Sequence, residues 1–313
     1  MNFQQLRIIR EAVRQGYNLT EVANVLFTSQ SGVSKHIKDL EDELGVELFI
    51  RRGKRLLGLT EPGRELVGIV ERMLLDAQNI KRLAQQFSQR DEGKLVVATT
   101  HTQARYVLPP MVTRFKQEFP KVHLELQQGS PDEIVALLQA GEADIGVATE
   151  AVTGAPEIVA FDFHRWHHSV IVPQGHPLAS LPVLTLQAVA DHPIITYHVG
   201  YTGRTGIDST FAAAGLEPNV VMSALDSDVI KTYVELGLGI GIIASVAFDP
   251  ARDLGLLQLP SDGLFAESVT RLAVRQGHYL RGYACRFIQF CAPALTEAAI
   301  RAATNPVRSG AED

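Results

Sequence analysis

The sequence predicts an α/β protein built from an N-terminal winged helix-turn-helix, a long linker helix and two doubly wound α/β subdomains. Three observations predict it. Residues 19–60 hold two short helical patterns and a basic hairpin, residues 60–89 hold one uninterrupted helical pattern with a heptad seam, and from residue 93 short apolar runs of strand length alternate with short amphipathic ones.

In the head, Leu19-Thr20-Glu21-Val22-Ala23 is followed by a break at Phe27-Thr28 and a second helix from Ser29 to Leu44. Val33, Ile37, Leu40 and Leu44 recur at spacings of four, three and four and form a packing face, while Ser31, Ser34, Lys35 and Lys38 occupy the opposite side. That polar side suits a major groove. Gln30 has the amide for a bidentate contact with adenine, and Ser31 and Ser34 can reach base edges or phosphates. Lys35 and Lys38 fit phosphate contacts, and Arg51, Arg52, Lys54 and Arg55 form a wing that lies along the backbone or enters a minor groove. Plain solvent exposure is the alternative for each cation. The acidic run Glu41-Asp42-Glu43 is expected to face away from DNA, as a solvated surface or a contact within the head.

The linker helix starts at Thr60, a plausible N-cap, with Glu61 and Pro62 in its first turn. Leu66, Val70, Met73, Ala77, Ile80, Ala84 and Phe87 alternate spacings of four and three along it. One long helix attached to a DNA-binding head has nothing of its own to bury such a seam against, so a homodimer through this helix is expected; packing on its own domain is the alternative. Paired recognition helices would read half-sites about 34 Å apart or a multiple of it.

Arg90-Asp91-Glu92-Gly93 breaks the helix. Strand 95–98, helix 104–118, strand 122–127, helix 131–140 and strand 144–148 then make a βαβαβ series. A second series runs from strand 169–172 through strand 194–197, helix 205–214, strand 219–223, helix 226–236 and strand 240–244. A last strand, 269–275, and a helix of about 280–302 return to the first series. The expected division is 1–59 for the DNA-binding head, 60–92 for the linker and 93–313 for an effector domain. Within the last, subdomain I takes about 93–162 and 268–302, subdomain II about 163–267, and 303–313 is a polar, disordered tail.

Composition limits the function classes. The chain has 313 residues, 46% hydrophobic and 20% charged, as in soluble globular proteins. Its net charge of -6 argues against coating nucleic acid non-specifically, yet residues 1–60 carry nine Lys/Arg against seven Asp/Glu. Cys285 and Cys291, six apart on a helical pattern, point to different faces and are expected in the core rather than in a disulfide. The N-terminus lacks a secretory apolar stretch, and the longest uncharged apolar run, Leu236 to Phe248, is too short to span a bilayer. A cytoplasmic protein with no membrane partner is expected.

A candidate effector site follows from the first strand-to-helix turn. Thr100, Thr102 and Gln103 sit where a helix N-terminus leaves backbone N–H groups without intrahelical partners, a place that favours an anion. Thr149 closes the third strand and Thr202 lies in a Gly-containing turn of the other subdomain, so these positions can converge on one cleft. Trp166, the only tryptophan, either lines that cleft or packs in the core. The bland alternative for the threonines is helix capping.

Catalysis finds no support. Gly237-Leu238-Gly239-Ile240-Gly241 follows a helix and precedes a strand, the reverse of a dinucleotide-binding loop. His164, His167 and His168 alternate along a strand without a Cys ligand, so no metal site is expected, nor any cofactor or catalytic residue.

From Ser29-Gln30-Ser31-Gly32-Val33-Ser34-Lys35 through Leu40-Glu41-Asp42-Glu43-Leu44-Gly45-Val46-Glu47-Leu48-Phe49-Ile50-Arg51, the chain resembles LysR-type transcriptional regulators, and the resemblance spans the whole chain. Ser31 departs from it, because many relatives have proline there. The resemblance implies effector subdomains like those of periplasmic binding proteins. The segments 98–106, 128–131, 148–150, 201–204 and 226–233 are similar to the CysB and Cbl branch, regulators of sulfur assimilation and cysteine biosynthesis. That similarity implies a transcriptional activator, with N-acetylserine or O-acetylserine as effector and sulfate or thiosulfate as counter-ligands, bound at Thr100, Thr102, Gln103, Thr149 and Thr202, with Trp166 as the further candidate for the cleft wall. It further implies promoter DNA and RNA polymerase as partners, and homodimers that pair into a homotetramer. The alternatives are a LysR-type regulator of another small anion, or a small-molecule-binding protein that has lost regulation.

Overall fold

The computed structural model describes residues 1–53, 55–88, 91–201 and 203–305, so Lys54, Thr202 and the expected tail beyond Asn305 lie outside the described residues. Two compact units divide the chain, Met1–Gln85 and Gln86–Asp313.

The first unit opens with α1 (Phe3–Arg14), on which the sequence reading is silent; Asn2 and Gln5 close a capping box at its start. α2 (Leu19–Val25) is capped by Asn18 and α3 (Gln30–Leu44) by Ser29, whose Oγ accepts from Gly32 N at 3.1 Å. β1 (Phe49–Arg52) and β2 (Arg55–Leu59) form the antiparallel wing. Ile8, Ile9, Val22, Val33, Ile37, Leu40, Leu48 and Phe49 are buried together as the core of the head. One expected core position is corrected: Leu44 is 39% exposed, and Glu41 turns inward instead. Its carboxylate accepts the backbone N–H groups of Leu48 at 2.8 Å and Phe49 at 3.2 Å and pairs with Arg51. The acid thus ties the end of α3 to the start of the wing.

α4 (Glu61–Ser88) is the long helix, and its seam is shared between two uses. Val70 and Leu74 are buried against Leu6 of α1, with Leu66 and Met73 packed beside them, so the first repeats are covered by the chain's own head. This corrects the expectation that the whole seam awaits another copy. Ile80 and Phe87 remain 69% and 83% exposed, with Leu83 and Ala84 also exposed between them.

The second unit contains two five-stranded mixed sheets. Its elements are β3 (Gly93–Thr99), α5 (Pro109–Glu118), β4 (Val122–Gln128), α6 (Pro131–Ala140), β5 (Ile145–Ala148), β6 (Ile158–Trp166), β7 (His168–Pro173) and α7 (Leu186–Ala190). They continue as β8 (Ile194–Tyr197), α8 (Arg204–Ala213), β9 (Val220–Ala224), α9 (Ser227–Glu235), β10 (Ile240–Ala244), β11 (Leu256–Gln258), β12 (Ser268–Arg275), α10 (Gly282–Cys291) and α11 (Glu297–Thr304). The first sheet has the order β4-β3-β5-β12-β6 and the second β11-β7-β10-β8-β9. β3, β4 and β5 run parallel, while β12 is antiparallel to both β5 and β6. The chain crosses between sheets at His167 and again between β11 and β12.

Three expectations shift. β6 carries the first sheet through Trp166, past the expected subdomain boundary at 162. The helix expected over 104–118 is a π-helical turn, Gln103–Val107, followed by α5, because Pro109 and Pro110 have no N–H with which to continue the ladder. The helix expected over 280–302 divides into α10 and α11, with Pro293 in the break. Cys285 and Cys291 are both buried as free thiols, pushed up to about 11 and about 12 by burial.

Residues at the beginning of this unit hold α10 in place. The N-cap residue Arg281 gives that helix no side-chain cap, and Gln86 Oε1 takes the role by accepting from Gly282 N at 2.8 Å. A Cβ at Gly282 would stand 3.3 Å from the Gln86 amide nitrogen, so the glycine leaves the amide its seat.

Candidate functional site

In the head, Ser29 fixes where α3 begins. Gln30, Ser31, Lys35 and Lys38 are exposed and Ser34 is half-buried on its outward side, while Val33, Ile37 and Leu40 anchor the inward side. Arg52 and Arg55 are exposed on the wing. Arg51 differs from them because its guanidinium is held by the buried Glu41. It positions the wing more than it offers a loose cation. The acidic run therefore splits: Glu41 is structural, whereas Asp42 and Glu43 are exposed.

In the second unit, three of the expected effector residues, Gln103 at the start of the π-helical turn, Thr149 just past β5 and Trp166 at the end of β6, meet at a residue that the sequence reading missed. Gln103 Nε2 donates to Thr270 Oγ1 at 2.9 Å, Trp166 Nε1 donates to the same oxygen at 3.0 Å, and Thr149 Oγ1 lies 3.2 Å from it. Thr270 is completely buried, and Gln103 and Trp166 are 1% and 2% exposed. With two N–H groups directed at it, the Thr270 oxygen turns its own hydrogen toward Thr149. A register shift between Thr270 and Arg271 in the pairing of β12 with β6 marks a local irregularity of the kind that re-aims a side chain. No sequence signal marked Thr270, because a threonine inside a strand reads as ordinary β-propensity.

Thr100 and Thr102 are buried at the end of β3, just before the π-helical turn that begins at Gln103. Such turns recur at functional sites because they displace one residue from the helical ladder. The Thr102 hydroxyl adjoins the buried Tyr197 phenol, whose own oxygen lies 2.6 Å from Ser227 Oγ and accepts from Ala244 N at 2.9 Å. Burial pushes that phenol's pKa upward, so it stays neutral. Trp166 packs edge-on against the buried His168 ring at 4.9 Å.

Two further links join the sheets. Glu150, next to Thr149, accepts from Gly203 N, the N-cap of α8, which has no side-chain cap. Gly203 has a φ of 71°, and a Cβ there would stand 2.7 Å from the His168 ring, so only glycine fits. Desolvation raises the Glu150 pKa, against the lowering effect of the Gly203 N–H and of its own backbone N–H. The second link centres on Asp228, which accepts from Arg105 Nε at 2.9 Å and from Tyr106 OH at 2.6 Å, with Lys231 Nζ at 3.4 Å. Desolvation works to raise the Asp228 pKa, but Tyr106, Lys231 and Arg105 outweigh it and the pKa is lowered. His101, Asp226 and Asp228 bring ligand atoms within 4.8 Å of one another. Arg105 and Lys231 already neutralise Asp228 there, which disfavours a metal cation.

Two sequence-family models match the chain. Residues 3–64 match the bacterial regulatory helix-turn-helix of the lysR family, and residues 88–296 match the LysR substrate binding domain. The HTH-type transcriptional regulator SsuR of Burkholderia cenocepacia is 60% identical over 300 residues, covering 96% of this chain and 97% of that protein. The HTH-type transcriptional regulator cbl of Escherichia coli is 55% identical over 291 residues, covering 93% and 92%. Among solved structures, the cofactor-binding domain of the Cbl transcriptional regulator matches with a TM-score of 0.66 at 47% identity, over 68% of this chain and 93% of that one.

Proposed function

This chain belongs to the LysR family of DNA-binding transcriptional regulators, in the branch of Cbl and SsuR, and on that premise we propose that it activates sulfur-assimilation and cysteine-biosynthesis genes under control of a small anionic effector. Its relatives are regulators, and it is a regulator rather than an enzyme. The effector is N-acetylserine or O-acetylserine, with sulfate or thiosulfate as counter-ligands. The observation that carries this reading is the convergence of Gln103, Thr149 and Trp166 on the Thr270 hydroxyl, beside the buried threonines 100 and 102. Neutral hydroxyl and N–H donors grouped at a strand-to-helix turn suit a small carboxylate or oxyanion.

In the head, Gln30, Ser31 and Ser34 read base edges while Lys35, Lys38 and the wing cations Arg52, Lys54 and Arg55 contact phosphates; Arg51 reaches DNA only to the extent that Glu41 leaves it room. Ile80, Ala84 and Phe87 provide the exposed part of the seam through which two chains pair, and two such dimers join through their effector domains. The assembly works in the cytoplasm and acts on RNA polymerase at the promoter. Effector binding shifts the spacing of the heads only by binding one arrangement more tightly than another.

The test is a binding titration with sulfur-assimilation promoter fragments at moderate salt, with and without each acetylserine. Absence of sequence-selective binding refutes the regulator target. Calorimetry with acetylserines, sulfate and thiosulfate on the wild type and Thr102→Ala tests the cleft. If none binds, or all bind the variant equally, the effector assignment falls.

A further inference from the structure

We propose that Glu150 sorts the ligands of this cleft, favouring a small acid that carries an N–H or O–H donor beside its anionic group over a bare oxyanion. The inference rests on the effector reading above and adds to it the residue that sets ligand class.

The cleft residues divide into donors and acceptors. Thr100, Thr102 and Thr149 offer hydroxyls to an anion. Among the described residues, two buried acceptors of this region have no hydrogen-bond partner, Glu150 Oε2 and Gln103 Oε1. They belong to the same neighbourhood: Glu150 directly follows Thr149, and Gln103 and Thr149 both bond to Thr270. The other Glu150 oxygen is held by Gly203 N, which fixes the carboxylate in place at the start of α8. A carboxylate oxygen withdrawn from water and given no donor is an unfavourable arrangement, and such atoms mark places where a ligand completes the bonding.

A ligand that satisfies both acceptors must itself donate. Sulfate and thiosulfate carry no N–H or O–H at neutral pH and would bring negative charge toward a carboxylate. N-acetylserine brings an amide N–H and a hydroxyl; O-acetylserine brings an ammonium group. Each also carries a carboxylate for the threonine hydroxyls. The same cleft therefore receives both kinds of anion, and Glu150 determines which is preferred.

The test is calorimetry on the full-length protein with N-acetylserine, O-acetylserine, sulfate and thiosulfate, comparing the wild type with Glu150→Gln. Glutamine keeps the shape and an oxygen for Gly203 N, and an unfolding midpoint at or above that of the wild type certifies the fold. Losing an ionic acceptor is expected to weaken O-acetylserine about tenfold or more, while sulfate and thiosulfate tighten, so the ratio of their Kd values reverses direction. A ratio unchanged within about threefold, with all four ligands still bound, overturns the role of Glu150 alone. If no probe binds the wild type, the effector cleft itself is refuted and this inference goes with it.

Discussion

Replacing Thr270 by valine removes one oxygen and leaves the side-chain shape nearly intact. Two donors that are almost wholly buried, Trp166 Nε1 and Gln103 Nε2, lose their acceptor. A buried donor left without a partner costs about 1–3 kcal/mol, so the pair amounts to about 2–6 kcal/mol. For a domain of this size, 1 kcal/mol moves the midpoint by roughly 2–4 °C, which places the expected loss near 10 °C. Thr270→Ser keeps the hydroxyl and gives up one methyl, at a cost of about 0.5–1.5 kcal/mol. The assay is unfolding followed by tryptophan fluorescence, because the only tryptophan of the chain is itself one of the donors. It reports on the effector domain alone. A Thr270→Val protein within about 0.5 kcal/mol of the wild type, or a serine variant as damaged as the valine one, refutes the assignment of Thr270 as the shared acceptor.

Further outcomes follow from other contacts. Glu41→Ala strands the N–H groups of Leu48 and Phe49 and frees Arg51, so the head should lose about 3–5 kcal/mol in denaturant titration, whereas Glu43→Ala should change it by less than about 0.5 kcal/mol. In promoter-binding titrations across salt, Lys35→Ala should lower the slope of log K against log salt by about 0.9 if it contacts one phosphate. Gln30→Ala should instead cost about 1–3 kcal/mol at one base pair and leave the slope unchanged. Burial raises the Glu150 pKa above the usual 4.5, so this group's stabilising contribution is present below that value and is lost as pH rises through the folded pKa. Glu150→Gln should therefore melt higher than the wild type at pH 7 to 8, with the gap closing toward pH 4. Phe87→Asp should weaken self-association in sedimentation experiments, while Val70→Asp should unfold the head, because the first is exposed and the second is covered by α1.

Much of the molecule was legible in the sequence because its signals were local. The polar face of α3 and the packed face opposite it were written in a four-three spacing, and the threonines at the end of β3 stood at a strand-to-helix turn. What escaped depended on distant partners. Thr270 is 167 positions from Gln103, and nothing in a strand pattern says which hydroxyl three other side chains will choose. Glu41 sat in an acidic run for which a solvated surface and a contact within the head read alike, and only the start of the wing, which brings two backbone N–H groups to its carboxylate, selects the second. The seam of α4 showed its period plainly, but a period does not name what covers it. α1 took the first repeats and left the last ones exposed.

The two crossings between the sheets of the effector domain lie side by side. β6 leaves the first sheet at Trp166 and β12 enters it at Ser268, and these two residues face each other in the strand register. The sheets are thus joined by a double strap, and a double strap twists more easily than it slides. A relative motion that left both crossings intact would be a rotation about that strap, and Thr270 stands two residues along one of its strands. A displacement of the Thr270 cluster would lie close to that pivot, where a small shift would turn the far edges of both sheets through a much longer arc.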